Sequence, residues 1–523
     1  METTVPGLEP PWSGIRSRLA LLTLAEAAAL VMIIALGVRA IGLSTRPLWL
    51  DEAYSAWFSS RSWDYLWTVV PTYEPHPPFY YSVLKLWRGI VGSGPVALRS
   101  LSLLFSIATI PVVMAAALEL DRQRPTKRAM LSAAVAGFLA ACSPMLILLD
   151  QDARPYPLMI LAYAAGVWGV LRLIREFRQG GCGEWSSWLL LACSTEVSLW
   201  AHGLGLIYAF CVAAALFPAW VAGPLNSRRV ARSVLIAAVI GLAYLPCLTM
   251  ILGRAADWGT GWLSWRPLML LQIPALYSVP YEALTAGSAV AALVLLLLAK
   301  RAIQSAIEIR GWSSERALLV LWLGPPIIAA AISQLGMPIF LPRTLAPTLV
   351  PAYLAMAAAL GRTDSERERS WLTAAIVITL VPTAVQIALR PAAEDWSAVR
   401  AYLMGHVGPG DEVWVYPNDS ALPLDALGPH SFVQRGIPGD YPAVGFKGPI
   451  RAGSPAVVSV TRDQALAIAR NRAWARPRTV WVVTRQSALF DPHGELPRAL
   501  GDVRRAGPVR EWGYIDVQPF TRR

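Results

Sequence analysis

The stretch "RPLWLDEAYSAWFSS", residues 46–60, follows the first long apolar segment of the chain, which covers about 19–42. Two adjacent carboxylates, Asp51 and Glu52, stand there among tryptophan and tyrosine residues. An apolar run of this length predicts a membrane-spanning helix, and Trp and Tyr are enriched where such helices leave the membrane. The stretch therefore places two acids at a membrane–water boundary.

The composition is that of an integral membrane protein. Of the 523 residues, 55% are hydrophobic and only 15% are charged, and the mean hydropathy is +0.46, which is too apolar for a soluble multidomain protein. The formal net charge is +12, but the Lys and Arg residues form short clusters between apolar segments. This pattern is typical of topology signals and excludes nucleic-acid binding. The five cysteines show no disulfide or zinc spacing, so we expect no metal site.

Eleven segments are long enough to cross the hydrocarbon: 19–42, 96–118, 129–148, 156–173, 186–201, 203–220, 231–252, 285–299, 315–334, 343–360 and 371–389. The stretch 77–92 is also apolar, but it opens with two prolines and contains Lys85 and Arg88. We interpret it as an interfacial helix rather than a span. The prediction is a mainly α, polytopic protein with about eleven transmembrane helices and a long first loop.

The positions of the basic loops predict the topology. With the N-terminus inside, the loops rich in Lys and Arg all fall on the cytoplasmic side, as the positive-inside rule requires: 121–128, 172–178, 228–232, 300–310 and 362–369. The opposite loops, which include 43–95, are poorer in basic residues and richer in Trp, Tyr and Pro. We therefore expect a multi-pass protein of the cell membrane whose first apolar segment is retained as a span.

The composition changes near Pro391, where short β-like runs replace the long apolar segments. The runs and one helical stretch are "DEVWVYP" (411–417), "PAVVSV" (455–460), "RDQALAIARNRAWA" (462–475) and "TVWVVT" (479–484). This pattern predicts a small α/β domain. We divide the chain into a transmembrane part, 1–390, and a soluble part, 391–523, which an odd number of spans places outside the membrane.

The adjacent acids Asp51 and Glu52 suit two different roles, a structural one and a catalytic one. Asp51 could cap a helix that runs through the following residues. Alternatively, adjacent carboxylates near a low-dielectric boundary can supply a general base and a hydrogen-bonding partner for a hydroxyl group. The first loop, 43–95, is longer than a connection needs, and long loops usually carry function. This context favours the catalytic reading.

The same loop contains "EPHPPFYY", residues 74–81. Two prolines after His76 force an extended backbone and would fix that side chain in one place, so we expect it to be functional. Lys85 and Arg88 follow on the interfacial helix, where cations can also act simply as anchors that reach the water.

Further charged residues fall at other outer tips of the predicted spans. Asp152 and Arg154 lie in "LLDQDARPYPLMI" (148–160), where the alternative to binding is a structural tether between the two. His202 and Arg343 lie at two later tips. Such a grouping on one membrane face is the arrangement of an active site, whereas a transport path would show polar residues at several depths.

The order of several motifs resembles the C-type glycosyltransferase superfamily. The motifs are "LDEAYSAW" (50–57), "EPHPPFYY" (74–81), "PVALRSLSLLFS" (95–106), "DQDARPYPL" (150–158), "WAHGLGL" (200–206) and "LPRTLAPTLVP" (341–351). Within the superfamily the sequence is most similar to family 39, the protein-mannosyltransferase and aminoarabinose-transferase-like group. The resemblance covers about 19–389 in motif order.

The resemblance implies transfer of a sugar, with inversion, from a polyprenyl-phosphate donor to a hydroxyl of a lipid, glycan or protein on the outer face. Neither a cofactor nor an obligatory metal is implied. Asp51 would activate the acceptor, Glu52 would hold it, and Arg154 and Arg343 would bind the donor phosphate. The remaining substrate-binding residues would be His76, Lys85, Arg99, Asp152 and His202. Two alternatives stay open: a flippase or transporter of a lipid-linked saccharide, and a subunit or receptor without turnover.

Overall fold

The structure is a computed structural model of the chain, and it describes residues 13–72, 74, 76–222, 226–252, 265–271, 286–442, 460–471 and 476–523. Ten helices, α1 to α10, make up the first half: Ser13–Ala40, Leu50–Ser60, Phe79–Val91, Pro95–Leu120, Thr126–Cys142, Pro144–Asp150, Tyr156–Arg178, Trp185–Ala201, Gly205–Ala222 and Ser227–Leu252. The long helices that follow are Ala286–Glu308, Ser314–Gln334, Leu349–Arg362 and Glu366–Ala388. The short helix Pro342–Leu345 and the 3₁₀ turns Pro267–Leu271 and Ala346–Thr348 complete this part.

The helices confirm a polytopic membrane fold. Among the described residues, eight helices are long and apolar enough to cross a membrane, and the bent pair α5–α6 makes nine. The other two predicted segments coincide with α1 and with α8, which has 17 residues. Most of the buried apolar side chains of the bundle form one large cluster, and a small second cluster lies between α8 and α10 at Leu199, Tyr244 and Cys247.

The third predicted span is broken where α5 meets α6. The two helices are bent by 55°. Pro144 has no N–H with which to continue the hydrogen-bond ladder of α5, and the Ser143 hydroxyl accepts from the N–H of Leu146 at 3.4 Å to start α6. α6 ends at Asp150, which pairs with Arg39 of α1 at 2.6 Å. The bend therefore delivers the turn 151–155 to the end of the bundle where the first loop lies.

The first loop is folded, as the sequence predicts. It contains α2, a π-helical turn at Tyr65–Val69, a 3₁₀ turn at Val70–Thr72 and α3. α3 is amphipathic: Tyr80, Tyr81 and Leu84 are buried, whereas Leu86 and Ile90 are 61% and 78% exposed. An isolated helix with such an exposed apolar face suits the membrane interface, so the interfacial helix is confirmed and is not counted as a span.

The chain ends in the predicted small α/β unit. Its strands, β1 to β6, are Glu412–Tyr416, Val433–Gly436, Thr479–Arg485, Arg504–Ala506, Arg510–Trp512 and Ile515–Arg522. The sheet order is β2-β1-β3-β6-β4, with β5 on β6. β1 runs parallel to β2 and β3, and β6 runs antiparallel to its three partners.

Helices cover this sheet, at Trp396–His406, Ala421–Ala426, Arg462–Arg470, Ser487–Phe490 and Glu495–Val503, with a 3₁₀ turn at Asn418–Ser420. The predicted runs 411–417 and 479–484 correspond to β1 and β3. The run 455–460 lies outside the described residues except for Val460, and so do the last four residues of the predicted helical stretch 462–475.

Candidate active site

Asp51 lies between two guanidinium groups that come from distant parts of the chain. Its carboxylate Oδ2 is 3.4 Å from Nη1 of Arg343 and 3.8 Å from Nη2 of Arg154, and Arg154 Nη1 also donates to the backbone oxygen of Asp51 at 3.1 Å. Burial disfavours the charged carboxylate, but Arg154 and Arg343 outweigh it and hold the pKa of Asp51 below its usual value. Asp51 is therefore an anion at neutral pH.

Both arginines retain unused hydrogen-bond donors. The Nε–H groups of Arg154 and Arg343 are buried and have no hydrogen-bond partner among the described residues. Buried donors of this kind are rare and indicate an absent ligand or water. The side chain of Arg343 is 30% exposed and that of Arg154 is 7% exposed, so solvent reaches the arginine pair mainly at Arg343. Two convergent guanidiniums with free N–H groups are suited to a phosphate oxyanion.

Glu52 occupies a different environment from its neighbour. It is completely buried, and Arg99 of α4 binds both of its oxygens, at 2.7 and 2.6 Å. The backbone N–H of Ala153 also donates to Glu52, at 2.9 Å. The remaining N–H groups of Arg99 donate to three backbone carbonyls in the segment 43–47.

Glu52 and Arg99 are paired with each other and with the backbone, and all five donors of Arg99 are used; that these two residues contact substrate stays a prediction. Successive residues of a helix project about 100° apart. This rotation turns Glu52 into the bundle and leaves Asp51 at the open face. The Glu52–Arg99 pair fastens α2 to α4.

Two imidazoles form a chain of hydrogen bonds beside the arginines. Nε2 of His76 and Nε2 of His202 are 3.3 Å apart, and Nδ1 of His76 is 2.6 Å from Glu74 Oε1. His202 Nδ1 accepts from the backbone N–H of Leu204 at 3.1 Å, so its proton is on Nε2 and is donated to His76. Burial, with His76 and Arg154 close by, lowers the pKa of His202 well below its usual value and keeps the ring neutral.

The histidines predicted to bind substrate are thus brought together, but with their ring nitrogens already engaged. Tyr81 adds a hydrogen bond from its hydroxyl to Glu74 Oε1 at 3.1 Å. Glu74 and Tyr81 belong to the motif of residues 74–81, but the sequence alone does not assign them to the site. The chain of hydrogen bonds joins the first loop to the turn between α8 and α9, and it borders the arginine pair.

Asp152 lies near the buried charges of Glu52, Arg99 and Arg46. Burial and the nearby Glu52 raise the pKa of Asp152 to about 6, against the opposing effect of Arg390 and Arg46. The alternative of an Asp152–Arg154 tether is not what the structure contains, since Arg154 lies against Asp51. Asp152 therefore borders the Glu52–Arg99 pair.

Lys85 lies apart from this cluster. Its ammonium donates to the backbone oxygen of Arg61 at the end of α2, at 2.6 Å, and lies over the ring of Trp63. The prediction that Lys85 lines the cleft is wrong for this structure: the cation joins α3 to the end of α2. The alternative reading, an anchoring cation on an interfacial helix, describes it better.

The C-terminal unit contacts α2, which sequence reasoning missed. Glu394 accepts from the N–H of Leu50 at 3.3 Å, and Asp419 accepts from the hydroxyl of Tyr54 at 2.7 Å. These pairs are separated by 344 and 365 residues. No local periodicity reports contacts at such distances along the chain. Among the described residues, no three His, Cys, Asp or Glu side chains are placed to hold a metal ion.

Comparison with known proteins gives similarity of structure without similarity of sequence. No protein-family profile and no curated protein sequence matches the chain. An oligosaccharyltransferase of Archaeoglobus fulgidus, in complex with an inhibitory peptide and a dolichol-phosphate, aligns over 94% of this chain and 74% of its own with a TM-score of 0.56 and 12% identity.

Two further solved structures have the same fold. ArnT from Cupriavidus metallidurans bound to undecaprenyl phosphate aligns over 94% of this chain and 97% of its own, with a TM-score of 0.55 and 14% identity. The mycobacterial arabinofuranosyltransferase AftD aligns over 95% of this chain but only 39% of its own, with a TM-score of 0.50 and 15% identity. The chain therefore has the fold of the C-type membrane glycosyltransferases, as the motif order implied.

Proposed function

We propose that this protein is an integral-membrane glycosyltransferase that moves a sugar from a polyprenyl-phosphate donor to a hydroxyl of a lipid, glycan or protein. The observation that carries the proposal is the contact of Asp51 with Arg154 and Arg343, each of which keeps a buried Nε–H free. A carboxylate beside two donors for an oxyanion is the combination that transfer from a lipid phosphate needs. The fold supports the proposal, because the two relatives described with a lipid phosphate have it too.

The three side chains have separate tasks in the proposed reaction. The acceptor oxygen attacks the anomeric carbon and its proton passes to Asp51, while the bond from that carbon to the phosphate oxygen breaks on the opposite side. The polyprenyl phosphate leaves with the bonding electrons, and the sugar is inverted. Arg154 and Arg343 stabilise the negative charge that develops on the phosphate.

Donor binding also changes the basicity of Asp51. Without donor, the two guanidiniums stabilise the Asp51 carboxylate and lower its pKa. A bound phosphate places negative charge between the same arginines, so it competes for their positive charge and repels the carboxylate. The pKa of Asp51 then rises. Asp51 thus becomes a stronger base when the donor is in place.

We place the reaction on the extracytoplasmic face of the cell membrane, because the loops rich in Lys and Arg lie at the opposite ends of the spans. In this arrangement residues 1–390 are the transmembrane catalytic part and residues 391–523 an extracytoplasmic domain. The lipid tail of the donor stays in the bilayer while its phosphate reaches Arg154 and Arg343. The many spans provide the surface along which that tail lies.

The test uses purified protein in liposomes that contain polyprenyl-phosphate sugars labelled on the sugar, with membrane extract from a deletion strain as the source of acceptor. We expect label to appear in a new product and free polyprenyl phosphate to accumulate in equal amount. Asp51→Asn should abolish both. A flippase would instead move labelled donor across the bilayer without consuming it, and that outcome would overturn the proposal. A subunit or receptor would bind donor without either change.

A further inference from the structure

The helix that carries Asp51 is capped by its own residues only in part: Glu52 accepts from the backbone N–H of Trp49 at 3.4 Å. The residue before α2 is Trp49, whose indole N–H is a donor and cannot accept from the exposed amides of a helix start. The carboxylate of Glu394 accepts from the N–H of Leu50 at 3.3 Å instead. A carboxylate at a helix N-terminus also interacts favourably with the helix dipole. The acceptor for the first N–H of α2 therefore comes from the beginning of the C-terminal unit.

Glu394 is held firmly by that unit. It is 3% exposed; its Oε1 accepts from Nε of Arg485 at 2.6 Å and its Oε2 from Nε1 of Trp396 at 3.0 Å. Arg485 is the last residue of β3, a strand in the interior of the sheet. The position of the capping carboxylate is thus set by the sheet and not by α2 itself.

A second contact holds the same side of α2 one turn later. The hydroxyl of Tyr54 donates to Oδ2 of Asp419 at 2.7 Å. Leu50 and Tyr54 are four residues apart and lie on one face of the helix, with Asp51 next to the first of them. The opposite side of α2 is fixed to the bundle by Glu52. The C-terminal unit and the bundle together determine where the Asp51 carboxylate lies.

We propose that Glu394 is a positioning residue for sugar transfer, acting through the N-terminus of α2 to set the place of Asp51 against Arg154 and Arg343. This inference rests on the proposed function. It makes the C-terminal unit a part of the catalytic machinery, although that unit contributes no group to the reaction. A displacement of about 1 Å at a catalytic group can reduce the rate about 100-fold, so a lost cap is sufficient to impair transfer.

The chain contains a closely matched control in Glu412. Glu412 also accepts from the indole of a tryptophan two residues later, Trp414, at 3.0 Å, and from Nε of an arginine, Arg435, at 3.2 Å. It lies on β1 of the same sheet, and neither of these partners belongs to α2. Substitutions at Glu412 and Glu394 therefore break the same kinds of hydrogen bond, but only Glu394 supports α2.

The activity test compares Glu394→Gln and Glu394→Ala with Glu412→Gln and Glu412→Ala, all as full-length protein in liposomes. We expect the kcat of transfer to fall about 10- to 100-fold in the Glu394 variants, with less than a threefold change in the dissociation constant of the donor. The Glu412 variants should stay within twofold of wild type in both. Equal losses at the two positions would overturn the proposal, because they would report a general effect on the sheet. Glu394→Gln provides the comparison if Glu394→Ala fails to fold.

Hydrogen exchange measures the cap without any turnover. In Glu394→Gln, the amides at the start of α2, residues 50–53, should exchange at least ten times faster than in wild type, whereas Glu412→Gln should leave them unchanged. Unchanged exchange in the Glu394 variants would overturn the proposal. Failure of the proposed function would look different: the wild-type protein would also transfer no sugar, while exchange in α2 would still distinguish Glu394 from Glu412.

Discussion

Replacement of Asp51 by Asn separates proton transfer from donor binding. Asn keeps nearly the shape of Asp but has neither the charge nor the basicity. If Asp51 accepts the proton of the acceptor, losing it should reduce kcat by about 10² to 10⁴, the usual contribution of a general base. The same substitution should not weaken donor binding and should tend to strengthen it, because the Asp51 carboxylate competes with the donor phosphate for Arg154 and Arg343.

The size of that effect follows from the geometry. The two charge pairs of Asp51 are 3.4 and 3.8 Å long, and the side chains are partly exposed, so each pair is worth at most about 1 kcal/mol. Freeing both guanidiniums removes at most about 2 kcal/mol of competing attraction, so donor affinity should stay unchanged or increase up to about thirtyfold. Asp51→Asn should therefore show a much lower kcat with an equal or lower dissociation constant for the donor.

The assay measures single-turnover transfer and, separately, donor affinity by quenching of intrinsic tryptophan fluorescence. Asp491→Asn is the control: Asp491 also lies at a helix start, where its Oδ1 accepts from the N–H of Glu495 at 2.7 Å, and this variant should behave like wild type. A purely structural role for Asp51, the second residue of α2, predicts otherwise, because Asn keeps nearly the same shape at that position. Near-normal transfer by folded Asp51→Asn protein would refute the catalytic reading.

The pH dependence gives a second measure of the same carboxylate. The free enzyme has the pKa of Asp51 below its usual value, so kcat/KM should fall only at a pH below the ordinary range for Asp. Donor binding raises this pKa, so the acid limb of kcat should lie at higher pH than that of kcat/KM. Coincident acid limbs would contradict the competition between phosphate and Asp51 for the arginines.

Three further predictions concern the rest of the site and the topology. Arg154→Lys and Arg343→Lys should each weaken donor use at least tenfold despite the retained charge, because Lys lacks the planar fork that binds two phosphate oxygens; unchanged KM and kcat in both would remove the assignment. Glu52→Gln should lower the melting temperature and cost about 3–5 kcal/mol of stability, since it leaves the Arg99 guanidinium buried without its counter-charge; a folded variant of wild-type stability would contradict this. Reporter fusions at 180 and 436 should report opposite compartments, and agreement between them would refute the topology.

The sequence predicts the elements of this fold well because their signals are local. Apolar length identifies the spans, and the prolines and charges of 77–92 distinguish an interfacial helix from a span. It also places Asp51, Arg154 and Arg343 on one side of the bundle, because all three follow or precede spans there. That these residues share a site is what the resemblance to the C-type glycosyltransferases implies.

The sequence fails where the outcome depends on rotation or on distant packing. Asp51 and Glu52 are adjacent acids, and the sequence alone does not distinguish their environments. The residue at which α2 begins determines which of the two side chains points into the bundle. The family resemblance implies that Lys85 lines the same cleft as His76, but its ammonium contacts the far end of α2. The hydrogen bond from Leu50 to Glu394 joins residues that are 344 positions apart, and neither segment has a local sequence pattern that predicts it.

The exposed apolar face of α3 has a consequence for the depth of the reaction. Leu86 and Ile90 are exposed, and apolar side chains on such a helix suit the boundary between headgroups and acyl chains. α3 is joined to α2 by the hydrogen bonds from Lys85 to Arg61 and from Arg88 to Ala56. α3 therefore sets the position of α2 along the membrane normal, at the headgroup layer of one leaflet. A lipid phosphate lies at the headgroup level whatever the thickness of the bilayer, so under the proposed function the site and its donor stay aligned when hydrocarbon length changes.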